Sequence, residues 1–184
     1  QCCGNGIHHH CAKDLHSMEM GASCPLCRAK TPTSEEEMVK QLRPWVKKKK
    51  AWAQYLMGQH YIRGEGVKQS YEMTKRLYEL AAQQGYVTAM ASLGDMYAHG
   101  EGVEQSYEKA FEYYKQAAHL GLATAQFNLG LMYRDGHGIT QSFAKAKPHW
   151  ELAVEQGHTK AMSWLAGLYA NGEGVERDLT KARE

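Results

Sequence analysis

The chain has 184 residues, 22 of them Lys or Arg and 20 Asp or Glu, so its formal charge is +2 and it offers no broad electrostatic attraction to nucleic acid. No apolar run approaches the roughly 20 residues needed to cross a bilayer as a helix, so no membrane span is expected in this sequence. The length exceeds one typical domain, and all five cysteines fall within the first 27 residues, which predicts two modules of different chemistry.

The first module holds Cys2, Cys3, Cys11, Cys24 and Cys27. An odd count beside clustered histidines, with one Cys-x2-Cys pair, favours metal coordination in a reducing compartment over a disulfide-stapled secreted domain. The ligand order is Cys2-Cys3, then His8-x2-Cys11, then Cys24-Pro25-Leu26-Cys27. A Cys-x2-Cys turn puts two thiolates about a tetrahedral edge apart, and His8 to Cys11 repeats that spacing with a neutral imidazole in place of one thiolate. Zinc is the expected cofactor, and the set exceeds one tetrahedral site. His9 and His10 have the chemistry to replace His8 but are read as surface histidines.

This order resembles the C-terminal two-thirds of a RING finger, in which eight ligands hold two zinc ions in a cross-braced order. The opening Cys-x2-Cys is not in this sequence. The resemblance implies that Cys2, Cys3, Cys24 and Cys27 form one all-thiolate site and that His8 and Cys11 form half of a second, so further ligands are expected upstream of Gln1. The adjacent Cys2-Cys3 departs from the family spacing. The resemblance also implies that Pro25, Leu26 and Arg28 contact a ubiquitin-conjugating enzyme, Arg28 through its planar fork of donors. The alternative is an exposed arginine behind a zinc knuckle.

Thr31-Pro32-Thr33 reads as a turn or linker. Ser34 with Glu37 fits a capping box, and Glu35 and Glu36 suit a helix N-terminus. The helix that follows carries Met38, Leu42, Trp45 and Val46 in the register of Thr74, Tyr78, Ala81 and Ala82, and is read as a half-repeat capping what comes after. Pro44 is expected to bend or end it. The run Lys47 to Lys50 is read as a solvated junction, with a nuclear import signal or an acidic-partner contact as alternatives.

From residue 51 the chain repeats every 36 residues without gaps. Ala53, Ala89, Ala125 and Ala161 coincide, followed by Met57, Leu93, Leu129 and Leu165, then Gly58, Gly94, Gly130 and Ala166, then Tyr61, Tyr97, Tyr133 and Tyr169. Apolar residues at i, i+4 and i+8 make one face of an amphipathic helix, here helix A, over roughly 51 to 62 in the first unit. A Gly-x-Gly breaks it, and helix B starts at Ser70, Ser106, Ser142 and Asp178, all N-cap residue types. Gly85, Gly121 and Gly157 suit its end. Pro148 lies inside the third helix B, where a local irregularity is expected.

The motif Ala-x3-Leu-Gly-x2-Tyr-x2-Gly-x-Gly-Val followed by Lys-Ala resembles the Sel-one-like repeats, relatives of tetratricopeptide repeats. Lys109-Ala110, Lys145-Ala146 and Lys181-Ala182 are in place, and the first unit has Met73-Thr74 instead. The fold class expected is all-α, a helical-hairpin solenoid with a small N-terminal zinc-binding module. Its parts are a zinc module at 1–30, a linker and capping helix at 31–50, and repeats at 51–86, 87–122, 123–158 and, incomplete, 159–184. The resemblance implies an adaptor that holds other proteins.

A peptide groove is expected on the helix A face opposite the core, lined by Tyr55, Gln59, Ile62, Asp95, Phe127, Leu131 and Arg134, with the apolar ones partly exposed. Packing against neighbouring helices is the competing reading. The Gly-x-Gly loops recur at the repeat period without the lysine and serine of a nucleotide loop, so they read as structural turns. His60, His99, His119, His137, His149 and His158 are scattered without chelating spacing, and no catalytic nucleophile is recognised. Two functions follow. One is the recruiting part of a RING-type ubiquitin ligase, with a ubiquitin-conjugating enzyme and a peptide or protein substrate as partners; the other is a non-enzymatic adaptor whose zinc knuckle is purely structural. Either would be intracellular, in cytoplasm or nucleus; an N-terminal signal is not observable.

Overall fold

The computed structural model describes residues 32–182. The expected zinc module at 1–30 therefore lies outside the described residues. Eight helices are present among those described, and the chain divides into two units, one ending at Tyr86 and one beginning at Val87.

The first unit holds α1 (Glu35–Lys47), α2 (Ala51–Arg63) and α3 (Tyr71–Ala82). Ser34 caps α1 by accepting the Glu37 amide at 3.3 Å, while the Glu37 carboxylate accepts from the Thr33 amide and hydroxyl, both at 2.8 Å. The reciprocal bond of the capping box thus falls one residue earlier than expected. Pro44 neither ends nor interrupts α1, which continues to Lys47. Pro44 and Lys40, whose carbonyl loses its partner, are both exposed, so water can serve that carbonyl. Val39, Leu42, Ala53, Met57 and Leu77 form the core, with Trp45 set against Trp52 at 5.8 Å.

The second unit holds α4 (Val87–His99), α5 (Tyr107–His119), α6 (Ala123–Asp135), α7 (Phe143–Glu155) and α8 (Thr159–Asn171). α4 pairs with α5 and α6 with α7 as antiparallel hairpins, and α8 is followed by a turn in which the Asp178 carboxylate accepts from the amides of Thr180 and Lys181. Ser70, Ser106 and Ser142 cap the B helices α3, α5 and α7 in the same way. α7 runs through Pro148 to Glu155, so the proline does not end the helix. Pro148 and Ala144, the carbonyl four residues back, are both exposed, as at Pro44. The core around α7 gathers Ala146, Trp150, Ala153, Ala161 and Leu168.

Two devices set the spacing. Gly64, Gly136 and Gly172 end the A helices in the left-handed region, at φ 74°, 73° and 72°. The second glycine of the turn meets the start of the preceding B-type helix: a Cβ on Gly66 would strike the Glu35 carbonyl, one on Gly138 would lie 2.7 Å from the Tyr107 carbonyl carbon, and one on Gly174 would lie 2.6 Å from Phe143 Cβ. Glu35, Tyr107 and Phe143 are register equivalents, so α1 stands to α2 as a helix B stands to the next helix A.

Candidate functional site

Position along each A helix decides which side chains are free of the core, because residues three and four apart share a face. The face read as a groove carries Tyr55, Gln59 and Ile62 in the first unit, all half-buried. The Tyr55 ring lies 5.4 Å from Tyr78 and 5.1 Å from Tyr86, and the Gln59 amide donates to the Tyr55 hydroxyl at 3.2 Å and to the Tyr78 hydroxyl at 2.5 Å. Burial pushes the Tyr86 hydroxyl above its ordinary pKa, and the nearby Tyr55 adds to this. These residues form a cross-linked aromatic patch that the chain spacing does not announce.

In the second unit the half-buried Asp95 accepts from the Tyr114 hydroxyl at 2.6 Å and from the Asn128 amide at 3.3 Å. Burial pushes its carboxyl up, against the Tyr114 bond and nearby His99 and with the help of Glu101. Burial, with the Asp95 charge, pushes the Tyr114 hydroxyl up as well. Phe127 was expected to be partly exposed and is not: it is 7% exposed, with its ring stacked on His158 at 4.6 Å and its carbonyl accepting from the Trp150 indole at 3.1 Å. The reason is packing from α7 and the turn after it, which helix A periodicity alone does not reveal. Leu131 is half-buried against the Trp150 cluster.

Arg134 makes two bonds to Asp135, at 2.5 and 2.6 Å, and its guanidinium carbon lies over the Trp164 ring, 3.8 Å from the centroid. Its Nη1 is buried and has no hydrogen-bond partner among the described residues. Trp164, which sequence reasoning passed over, is 41% exposed. A lone large aromatic at a position that is Ser92 and Asn128 in the two preceding units was the signal available.

His60 was read as unconnected, yet the fold brings it to Glu35 and Glu65, whose ligand atoms lie with its own within 4.8 Å of one another. His60 takes a buried position occupied by Met96, Met132 and Leu168 in the other units. Its Nδ1 lies 3.1 Å from the Glu65 carbonyl and 3.4 Å from the Glu35 carboxylate, so the group links α1 to α2 by itself. Cys2, Cys3, His8, Cys11, Cys24, Cys27, Pro25, Leu26 and Arg28 lie outside the described residues. No helix among those described is long and apolar enough to cross a membrane.

A family model described as Sel1 repeat matches residues 53–86, 87–122, 123–158 and 159–184. Among solved structures, the chain is similar to a Sel1 repeat protein from Oxalobacter formigenes, with 25% identity, 83% of this chain and 61% of that one covered, and a TM-score of 0.78. It is also similar to a protective antigen present in uropathogenic Escherichia coli strains displaying an SLR fold, with 27% identity, 94% and 35% covered, and a TM-score of 0.78. Helicobacter pylori cysteine rich protein B, at 20% identity, 67% and 93% coverage and a TM-score of 0.54, shares the fold. The chain thus spans about three-fifths and one-third of the length of the first two. No curated protein matches it.

Proposed function

This chain belongs to the Sel1 repeat family, and on that premise we propose that it recruits a protein partner to a zinc-held module that docks a ubiquitin-conjugating enzyme. Sel1 repeats form all-α helical-hairpin solenoids and mediate protein–protein interaction, which is the general part of this reading. The finer part rests on one observation: a Cys-Cys, His-x2-Cys, Cys-x2-Cys order stands directly before the repeats, with Pro25 and Arg28 beside the last two cysteines. Zinc, once bound by Cys2, Cys3, Cys24 and Cys27, would hold that segment in a fixed shape, and His8 and Cys11 would belong to a second ion. Pro25, Leu26 and Arg28 would then meet the enzyme, and the gain in rate would come from proximity rather than from a nucleophile of this chain. Thiolate ligands suit a reducing compartment, cytoplasm or nucleus.

The adjacency of Cys2 and Cys3, unusual for a RING finger, favours the second reading, a purely structural knuckle on an adaptor. An autoubiquitination assay on the zinc-loaded protein separates them. Ubiquitin chains that disappear in a Pro25→Ala/Arg28→Ala variant are expected, and a wild type with bound zinc that forms none leaves the adaptor.

A further inference from the structure

We propose that Asp95 is the docking point for a lysine or arginine side chain of the recruited partner, an inference that rests on the protein-recruiting function proposed above. The fold does not need a carboxylate at this position. Its equivalents are Gln59, Leu131 and Gly167, and in the first unit the neutral amide of Gln59 serves Tyr78, the equivalent of Tyr114, at 2.5 Å. Asp95 is the one ionisable group among these four equivalents, and burial pushes its carboxyl above the ordinary value.

That carboxyl is also unmatched. Its two hydrogen bonds, from the Tyr114 hydroxyl and the Asn128 amide, both fall on Oδ1, and neither donor is a cation. Among the described residues Oδ2 has no hydrogen-bond partner, and Asp95 as a whole is half-buried. The nearby basic side chain, His99, has its Nδ1 2.9 Å from the Asp95 backbone carbonyl instead, and the nearby Glu101 adds negative charge. Arg134, the one strong cation among the seven groove residues, is matched by Asp135. An acceptor oxygen with a formal charge, half withdrawn from water and braced on its other oxygen, fits a charged donor, because charge-assisted bonds are the strong ones and gain from a lowered dielectric. A guanidinium or ammonium on a long aliphatic stem supplies that donor. A single carboxylate is too few ligands to hold a metal ion.

A phage-displayed library of random peptides, panned against the full chain, tests this, followed by titration of the most enriched peptide as a synthetic ligand. The enriched peptides should share a lysine or arginine whose replacement by glutamate weakens binding about tenfold or more. Asp95→Asn, which keeps an acceptor for Tyr114, should lose a similar factor with unchanged helical circular dichroism. Asp95→Lys should reverse the preference and take the glutamate-bearing peptide better than the original. Enriched peptides without a shared basic residue, or equal binding by Asp95→Asn, overturn this inference while leaving recruitment standing. A library that yields no binder overturns both.

Discussion

Asp95 also sets a pH dependence. Its folded-state pKa is raised by burial above the ordinary 3.8, so the folded chain holds this proton more tightly than the unfolded one. The stability that the proton contributes is complete below the unfolded value and is lost as pH rises through the folded one. Asp95→Asn, which cannot ionise, should therefore gain in stability relative to the wild type as pH rises from about 4 towards neutrality; urea midpoints measured across that range check this, and a constant difference counts against it. The glycines sort in the same way by what surrounds them. A Cβ on Gly130 would run into the Trp150 indole, whereas one on the helical Gly167 meets nothing within 4 Å. Gly130→Ala should cost about 1–3 kcal/mol by overpacking, and Gly167→Ala should gain about 0.5–1 kcal/mol from helix propensity, both read by chemical denaturation. The sequence marks Gly58, Gly94 and Gly130 as small; that the Tyr78, Tyr114 and Trp150 rings fill the space beside them is visible only in three dimensions.

At the scale of helices and turns, repetition made most of the architecture readable. The hydroxyls of Ser70, Ser106 and Ser142 cap their helices as their residue type predicts, because a cap is a local event within four residues. The Lys-Ala motif also acquires a physical reason. Lys109, Lys145 and Lys181 reach over the rings of Tyr97, Tyr133 and Tyr169 at 5.2, 5.8 and 5.4 Å, while Ala110 and Ala146 are fully buried. In the departing unit Thr74 takes the buried place and bonds the Gly58 and Ser70 carbonyls. A further periodic device went unread: Gln69, Gln105 and Gln141 donate to the carbonyls of Ile62, Ala98 and Arg134, at 2.8, 2.7 and 2.7 Å, supplying partners that the ends of the A helices lack. Its trace in the sequence was only a surface glutamine recurring at the period. Neither Pro44 nor Pro148 ends its helix, and at both the residue whose carbonyl is freed is exposed to water. Pro148→Ala should restore the missing bond and raise the unfolding free energy of the second unit by about 1–3 kcal/mol, and no gain in a denaturant titration would show that the helix has already absorbed the proline.

For the molecule as a whole, the four-fold pattern over 51–184 dictated the fold class, since a hairpin with one apolar face has few ways to bury it other than stacking. The positions expected to line a groove were less legible, because they change identity from unit to unit: Tyr55, Ala91, Phe127 and Ser163 share one register position. Phe127 shows the limit, as a neighbouring helix B covers it. The helices packed within each unit contain none of the five cysteines, so treatment with a strong chelator should leave the far-ultraviolet helical signal intact while removing any zinc held by the N-terminal segment. Collapse of that signal would tie the repeats to the metal. The second glycines of the turns carry a consequence for how such a chain changes over time. At Gly66 and Gly138 peptide backbone approaches peptide backbone with no side chain between, so the step from one hairpin to the next is gauged by main-chain dimensions rather than by residue size. A ruler of that kind keeps its length while the surrounding surface is rewritten, which leaves exposed side chains free to diversify without disturbing the spacing of the helices that carry them.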